Sequence, residues 1–298
     1  MTGEVTGGQT VHETLPPTLG NTPHRSYTEV VSYPAVLAPL PQDFPAATLP
    51  PRTDIIAHRG GAHIGPENTM VAFDRARSLG IETLETDVQI TADGVAIAFH
   101  DETLDRVTNM SGPVRAYTWD EVRRATVYGP NGSSGSIPRI TDLLAEFDTN
   151  WVIDLKNGDS IVPLANAINA AGAASRTCVA HSWDTWLERV RELTSPALER
   201  MVGWKTLAGL IAYTAAGLTP PKELFNAPWV HIAWKAGGFA LMKRRSFADR
   251  LISACHDHGV GVRVWTINNE KRIRRLVDQG VDGIFTDVPD LGLSLVRV

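Results

Sequence analysis

From residue 52 to its end the chain alternates short apolar runs with amphipathic helical stretches, and this alternation leaves few folds open. Repeated strand–helix units join by right-handed crossovers into a parallel sheet. Ile55-Ile56-Ala57 reads as the first strand, and a helix from about Thr69 to Leu79 follows it and stops at Gly80. The second, third and fourth strands are expected at 83–88, 95–99 and 151–155, with helices over 119–125 and 140–147. Further strands are expected at 177–180, 200–203, 230–232, 260–266 and 281–286, with helices over 186–193, 247–256 and 271–279 among them. That is one strand more than a closed eightfold barrel needs, so either 200–203 or 230–232 is expected to be irregular. A (β/α)₈ barrel takes about 250 residues, which suits an α/β TIM-barrel domain over residues 52–298.

The first 51 residues differ. They hold nine of the 19 prolines and little helical periodicity, so they read as an extended N-terminal arm. The net charge of −5 implies no broad basic surface for nucleic acid. An anionic substrate would have to meet local positive charge. Cys178 and Cys255 are too few for a disulfide scaffold and read as buried thiols. No apolar run is long enough to predict stable membrane insertion. The start MTGEVTGGQTVHETLPP lacks a basic-then-apolar signal, so a cytoplasmic location is expected. Neither composition nor pattern sets an oligomeric state.

Ionisable residues gather at the predicted strand ends: His58-Arg59, then Glu85 and Asp87, then His100-Asp101, then Asp154 and Lys156. In a parallel barrel these ends meet on one face, where catalytic groups sit. Glu85 and Asp87 are two apart on a strand, so both side chains point the same way. Two inward carboxylates repel each other unless a cation holds them, and a hard ion such as Mg²⁺ or Ca²⁺ suits oxygen ligands. The alternative is a solvated strand end or a pair neutralised by arginine. His58 and His100 flank this pair and can pass protons either way near neutral pH. Arg59 offers a planar fork for phosphate oxygens, or a salt bridge to Glu67 or Asp87. Lys156 shares the phase of Asp154 and would face the same mouth.

These residues lie in recognisable segments. HRGGAHIGPENTMVAF from His58 and IETLETDVQITADGVAIAFHDETLDRVTN from Ile81 resemble two signatures of the glycerophosphodiester phosphodiesterase family. IPRITDLL, VWTINN and GVDGIFTDVPD resemble its later elements. The resemblance implies a (β/α)₈ barrel, a single divalent metal ion, and hydrolysis of small-molecule glycerophosphodiesters to an alcohol and glycerol 3-phosphate. It implies His58 and His100 as the acid/base pair, Glu85 and Asp87 as metal ligands, and Arg59 and Lys156 as phosphate contacts. Glu67 matches the glutamate of the Pro-Glu-Asn-Thr segment and is placed at the site as a ligand or as a partner of His58 or Arg59.

One departure stands out: the fourth strand of the family carries E-x-K, and here Asp154 precedes Lys156. Asp is one methylene shorter, about 1.5 Å, so Asp154 is a metal ligand only if the strand sits closer or a water bridges. Trp265 is expected to line the pocket and touch substrate, with Trp204, Trp234 and His181 as weaker candidates. Asp287, shortly before Pro289, reads as a turn or cap. His256 and His258 read as helix-end residues outside the site. A rival reading is a phospholipase D-like enzyme acting on lysophospholipids or sphingolipids, for which the tryptophans would form an apolar pocket.

Overall fold

The computed structural model describes residues 49, 52–235 and 240–296. The expected arm over residues 1–51 lies, but for Leu49, outside the described residues. The elements run β1 (Asp54–Ala57), α1 (Met70–Ser78), β2 (Thr83–Ile90), β3 (Ala96–Ala98), α2 (Trp119–Val122), β4 (Val127–Tyr128), β5 (Ser134–Gly135), α3 (Ile140–Glu146) and β6 (Asn150–Leu155). They continue with α4 (Ile161–Ala170), β7 (Thr177–Ala180), α5 (Asp184–Leu193), β8 (Glu199–Arg200), α6 (Trp204–Ala216), β9 (Trp229–Ala233), α7 (Arg245–His256), β10 (Gly261–Trp265), α8 (Glu270–Asp278), β11 (Gly283–Thr286) and α9 (Pro289–Val296).

Eight strands pair in parallel in the order β8-β7-β6-β2-β1-β11-β10-β9. The two ends of this order meet at a single parallel bridge between Met201 and Trp229, reinforced by the Val202 N–H donating to the Trp229 carbonyl at 2.9 Å. The result is a nearly closed eight-stranded barrel wrapped in helices, the architecture that the alternation predicts.

Strand alternation separates two cores. One set of side chains, including Leu84, Val88, Trp151, Ile153, Val262 and Ile284, packs against the helices. There Trp151 meets Phe73 of α1 edge-on, with ring centroids 5.1 Å apart. Burying each such large side chain contributes about 1.5–3 kcal/mol. The opposite set, Ile56, Val152, Cys178, Ala180, Trp229 and Phe285, fills the barrel interior with Leu49 and Met201 against it. Both cysteines are free and buried, as expected.

Two expectations need correction. The segment at 95–99 is not a barrel strand. Its strand β3 pairs antiparallel with the far end of β2, Val88 opposite Ala98 and Ile90 opposite Ala96. A parallel neighbour needs a crossover of about a dozen residues or more, but here a tight turn closes the hairpin. Thr91 donates to the Val95 carbonyl at 3.1 Å, and Gly94 turns the chain at φ 80, a left-handed conformation that costs glycine little. This hairpin opens an excursion between β2 and β6 with its own small core of Ile97, Phe99, Leu104, Val114, Val122, Ala125, Val127 and Ile137. The surplus strand is therefore β3. Both suspected segments supply barrel strands, β9 in full and β8 as a two-residue stub. Beyond β8 the chain bends over Asp184, whose Oδ1 accepts from the Gly203 N–H at 2.8 Å. Any Cβ at Gly203 would fall 2.1 Å from the Asp184 carboxylate.

Candidate active site

The strand ends deliver their polar side chains to one cavity of about 530 Å³. Its ionic side holds His58, Arg59, Glu85, Asp87, His100, Asp154 and Lys156. Its opposite side holds Met201, Trp204, Leu207, His231, Trp265 and Phe285. Except for Glu67 and the weaker candidate Trp234, all the residues expected at the site line this one space.

His58 and Arg59 lie in a single 3-10 turn directly after β1, and Arg59 has left-handed backbone angles (φ 54, ψ 31). This turn aims the Arg59 N–H at Glu85 Oε2, 2.8 Å away. The Arg59 guanidinium lies 3.2 Å from Asp87 Oδ2 through Nε and donates to Glu67 Oε1 at 3.0 Å through Nη1. Both salt-bridge readings of Arg59 are thus present, and the guanidinium still lines the cavity.

Each histidine has one ring nitrogen on a carboxylate. His58 Nδ1 is 2.6 Å from Asp287 Oδ1, and its Nε2 lies 4.0 Å from Glu85 Oε2. Burial disfavours charge on His58, but Glu85 and Asp287 outweigh it and raise its pKa. His100 Nδ1 is 2.6 Å from Asp101 Oδ1. Arg106 then ties Asp101 to Glu67, donating at 2.5 Å to Asp101 Oδ2 and at 2.7 and 2.9 Å to the two oxygens of Glu67. Glu67 is expected as a ligand or as a partner of His58 or Arg59, and of these two it meets Arg59. Both its oxygens are taken by guanidiniums, and it does not line the cavity.

Glu85 and Asp87 are buried on β2 and share the inward phase. Asp87 resists the cost of burial because Lys156, at 2.7 Å, and Arg59 stabilise its charge. Its pKa is lowered, and Asn68 donates to it at 2.9 Å. Glu85 lacks an equal partner, and burial next to Asp87 pushes its pKa up to about 7. Lys156 also lies 2.5 Å from Asp154 Oδ2, so one ammonium bridges two carboxylates. As the side chains stand, no group of three His, Cys, Asp or Glu among the described residues is arranged to hold a metal ion.

His181 lines the cavity, stacked on Trp186 at 4.2 Å. Its Nδ1 accepts from the Trp183 N–H at 3.0 Å, and burial followed by the Lys156 charge lowers its pKa to about 4, so it is neutral. Trp204 and Trp265 line the cavity with about half of each side chain exposed, 47% and 48%. Trp234 does not line it. His256 bonds Asp282 and His258 stacks on Phe225, both away from the cavity.

Asp287 is the residue that the turn-or-cap expectation misplaced. It follows β11, and β11 pairs with β1, so the end of the chain returns next to His58. Asn268 holds Asp287, donating to Oδ2 at 2.6 Å while its own Oδ1 accepts from the Asp287 N–H at 2.8 Å. Asn68, Arg106 and His231 were also not singled out. Asn68 and Arg106 lie inside the quoted signatures, whereas His231 stands alone in an apolar run.

Residues 58–291 match the model of the glycerophosphoryl diester phosphodiesterase family. A glycerophosphodiester phosphodiesterase of Caldanaerobacter subterraneus subsp. tengcongensis is 30% identical over 258 residues, covering 83% of this chain and 98% of that protein. Another from Bacillus altitudinis is 31% identical over 260 residues, covering 82% and 98%. The crystal structure of an Agrobacterium tumefaciens glycerophosphodiester phosphodiesterase superposes with a TM-score of 0.66 at 26% identity, over 80% of this chain and 99% of that one. An Oleispira antarctica phosphodiesterase, solved with the product sn-glycerol-3-phosphate, shares the fold at a TM-score of 0.63 and 21% identity, over 83% and 96%. With its catalytic-face residues gathered in one cavity on a matching barrel, this chain belongs to the glycerophosphoryl diester phosphodiesterase family of phosphoric diester hydrolases.

Proposed function

We propose that the chain hydrolyses glycerophosphodiesters to an alcohol and glycerol 3-phosphate at the cavity built on Glu85 and Asp87, with one bound divalent metal ion. The observation that supports this most is the pair of carboxylate-backed imidazoles, His58 on Asp287 and His100 on Asp101, lining the same cavity as the two strand-borne carboxylates. In such a pair the carboxylate fixes the tautomer, leaving Nε2 free to exchange a proton with substrate. One histidine takes the proton of the nucleophile and the other protonates the departing alkoxide. Arg59 and Lys156 hold the phosphate oxygens and offset charge as it develops. Glu67 and Arg106 position Arg59 and Asp101 from behind.

The donors fit a hard cation such as Mg²⁺ or Ca²⁺. Glu85 is an under-compensated buried carboxylate beside a second one, and a dication is the partner that would relieve it. Glu85 and Asp87 would hold the ion, with Asp154 joining once Lys156 turns to the phosphate. When bound, the ion polarises the phosphoryl group as a Lewis acid. The test is a turnover assay of glycerophosphocholine with Mg²⁺, with Ca²⁺ and with a chelator. Hydrolysis that needs the ion supports the reading, and full activity in chelator refutes the metal. Trp204 and Trp265 favour one further comparison, because half-exposed tryptophans at the mouth also suit the acyl chain of a lysophospholipid. Faster turnover of a lysolipid in the same assay would select that substrate class.

A further inference from the structure

A second cavity, of about 560 Å³, lies between the chain after β9 and the start of α8. Trp234 in its wall donates its backbone N–H to the carbonyl of Trp265 at 3.0 Å, and Trp265 lines the catalytic cavity. Lys235, Lys243, Lys271, Arg272 and Arg275 all line this second space. No carboxylate lines it, and none of the five forms a salt bridge among the described residues. Two carboxylates on the adjoining helices are paired elsewhere, Glu270 with Arg274 at 3.0 Å and Asp249 with Arg245 at 3.6 Å. In a chain of net charge −5 this is a local excess of positive charge with no salt-bridged counterpart among the described residues.

The cluster is also held in place. Arg275 donates to the Lys243 carbonyl and lies 3.4 Å from Gln279 Oε1, both neutral acceptors. Arg272 and Arg275 sit over Trp234, 5.2 and 6.0 Å from the ring centroid. These contacts orient the guanidiniums without neutralising them. Like charges gathered in one concavity repel, and an anion between them reverses the sign of that energy. Guanidinium forks beside ammonium groups match the oxygens of a phosphate group. The start of α8 adds a partial charge of the same sign, although Asn269 Oδ1 already accepts from the Arg272 N–H, so the side chains supply the binding.

We propose that this cavity is a second anion site, binding a phosphate group separately from the phosphodiester at the catalytic carboxylates. The phosphate could belong to a free small molecule or to a lipid headgroup, and the test separates the two. Inorganic phosphate is titrated calorimetrically into the full chain and into a Lys271→Ala/Arg272→Ala variant, at low salt and at about 0.15 M KCl. The wild-type chain is expected to take up one phosphate more than the variant at both salt concentrations. The variant keeps its glycerophosphodiester turnover and melting temperature. Equal uptake by the two proteins overturns the proposal, and so does an extra uptake that disappears at about 0.15 M KCl, as diffuse surface attraction would. In a second arm the same proteins are spun down with phosphatidylcholine vesicles, with and without phosphatidylglycerol. Co-sedimentation that needs phosphatidylglycerol and falls in the variant assigns a headgroup. Extra phosphate uptake without vesicle binding assigns a free anion. Because uptake is read without turnover, a failure of the hydrolase reading would leave this result intact.

Discussion

Asp287 carries a specific expectation at the residue scale. Its carboxylate fixes Nδ1 of His58 and helps to raise the pKa of that histidine. Asp287→Asn keeps the shape and removes the charge. Turnover should fall by about 10²–10⁴, by the logic of a carboxylate-oriented general base, with a smaller change in KM. Losing an anionic neighbour lowers the pKa of a histidine, so the pH–rate limb set by His58 should move to lower pH. Unchanged kcat and an unmoved limb, measured by steady-state kinetics across pH, would remove Asp287 from the mechanism. Arg106→Ala makes a parallel case. It frees Asp101 and Glu67 at once, so kcat should fall while the exposed position of Arg106 keeps the change in melting temperature small. The sequence displayed His58, Arg59, His100 and Lys156 because they follow apolar runs, and Glu85 and Asp87 because they share one phase of a strand. Asp287 was hidden because its partner lies 229 positions away, and only closure of the ring brings the last strand beside the first.

At the scale of elements, the hairpin of β2 and β3 deserves a direct test. The Phe99 N–H donates to the Asp87 carbonyl at 3.1 Å, so the returning chain sets His100 beside the carboxylate strand. Gly94 has nothing near its missing Cβ, so Gly94→Ala probes backbone strain alone. At φ 80 a side chain should cost about 1–2 kcal/mol, read as a lowered unfolding midpoint in urea. An unchanged midpoint would mean that the turn relaxes to another shape. On the opposite side of the sheet, Phe73→Ala should cost about 3–5 kcal/mol, since Phe73 packs on Trp151 and Phe147 with no exposure. β3 was legible as extended but not as antiparallel. Its apolar residues look like those of a barrel strand, and what speaks against a crossover is the shortness of Thr91–Val95, a spacing rather than a composition.

At the scale of the whole molecule, the strand–helix alternation was legible for the barrel strands but for the surplus segment at 95–99, because parallel strands covered on both faces leave long apolar runs between polar ends. What the pattern did not reveal is the seam. β8 is two residues long, and the ring meets there through one bridge between Met201 and Trp229. A short, bent strand has too little periodicity to be told from a loop. The barrel nevertheless sets the chemistry, since all eight of its strands bring residues into one cavity, charged on the side of β1, β2 and β6 and more apolar across from it. The central claim is that His58 and His100 exchange protons with a glycerophosphodiester at this cavity. The direct measurement is turnover of glycerophosphocholine by His58→Ala and His100→Ala, with products followed by phosphorus NMR and folding checked by thermal melting. Each variant should lose about 10²–10⁴ in kcat while melting as the parent does. Near-parental turnover in both folded variants would contradict the account.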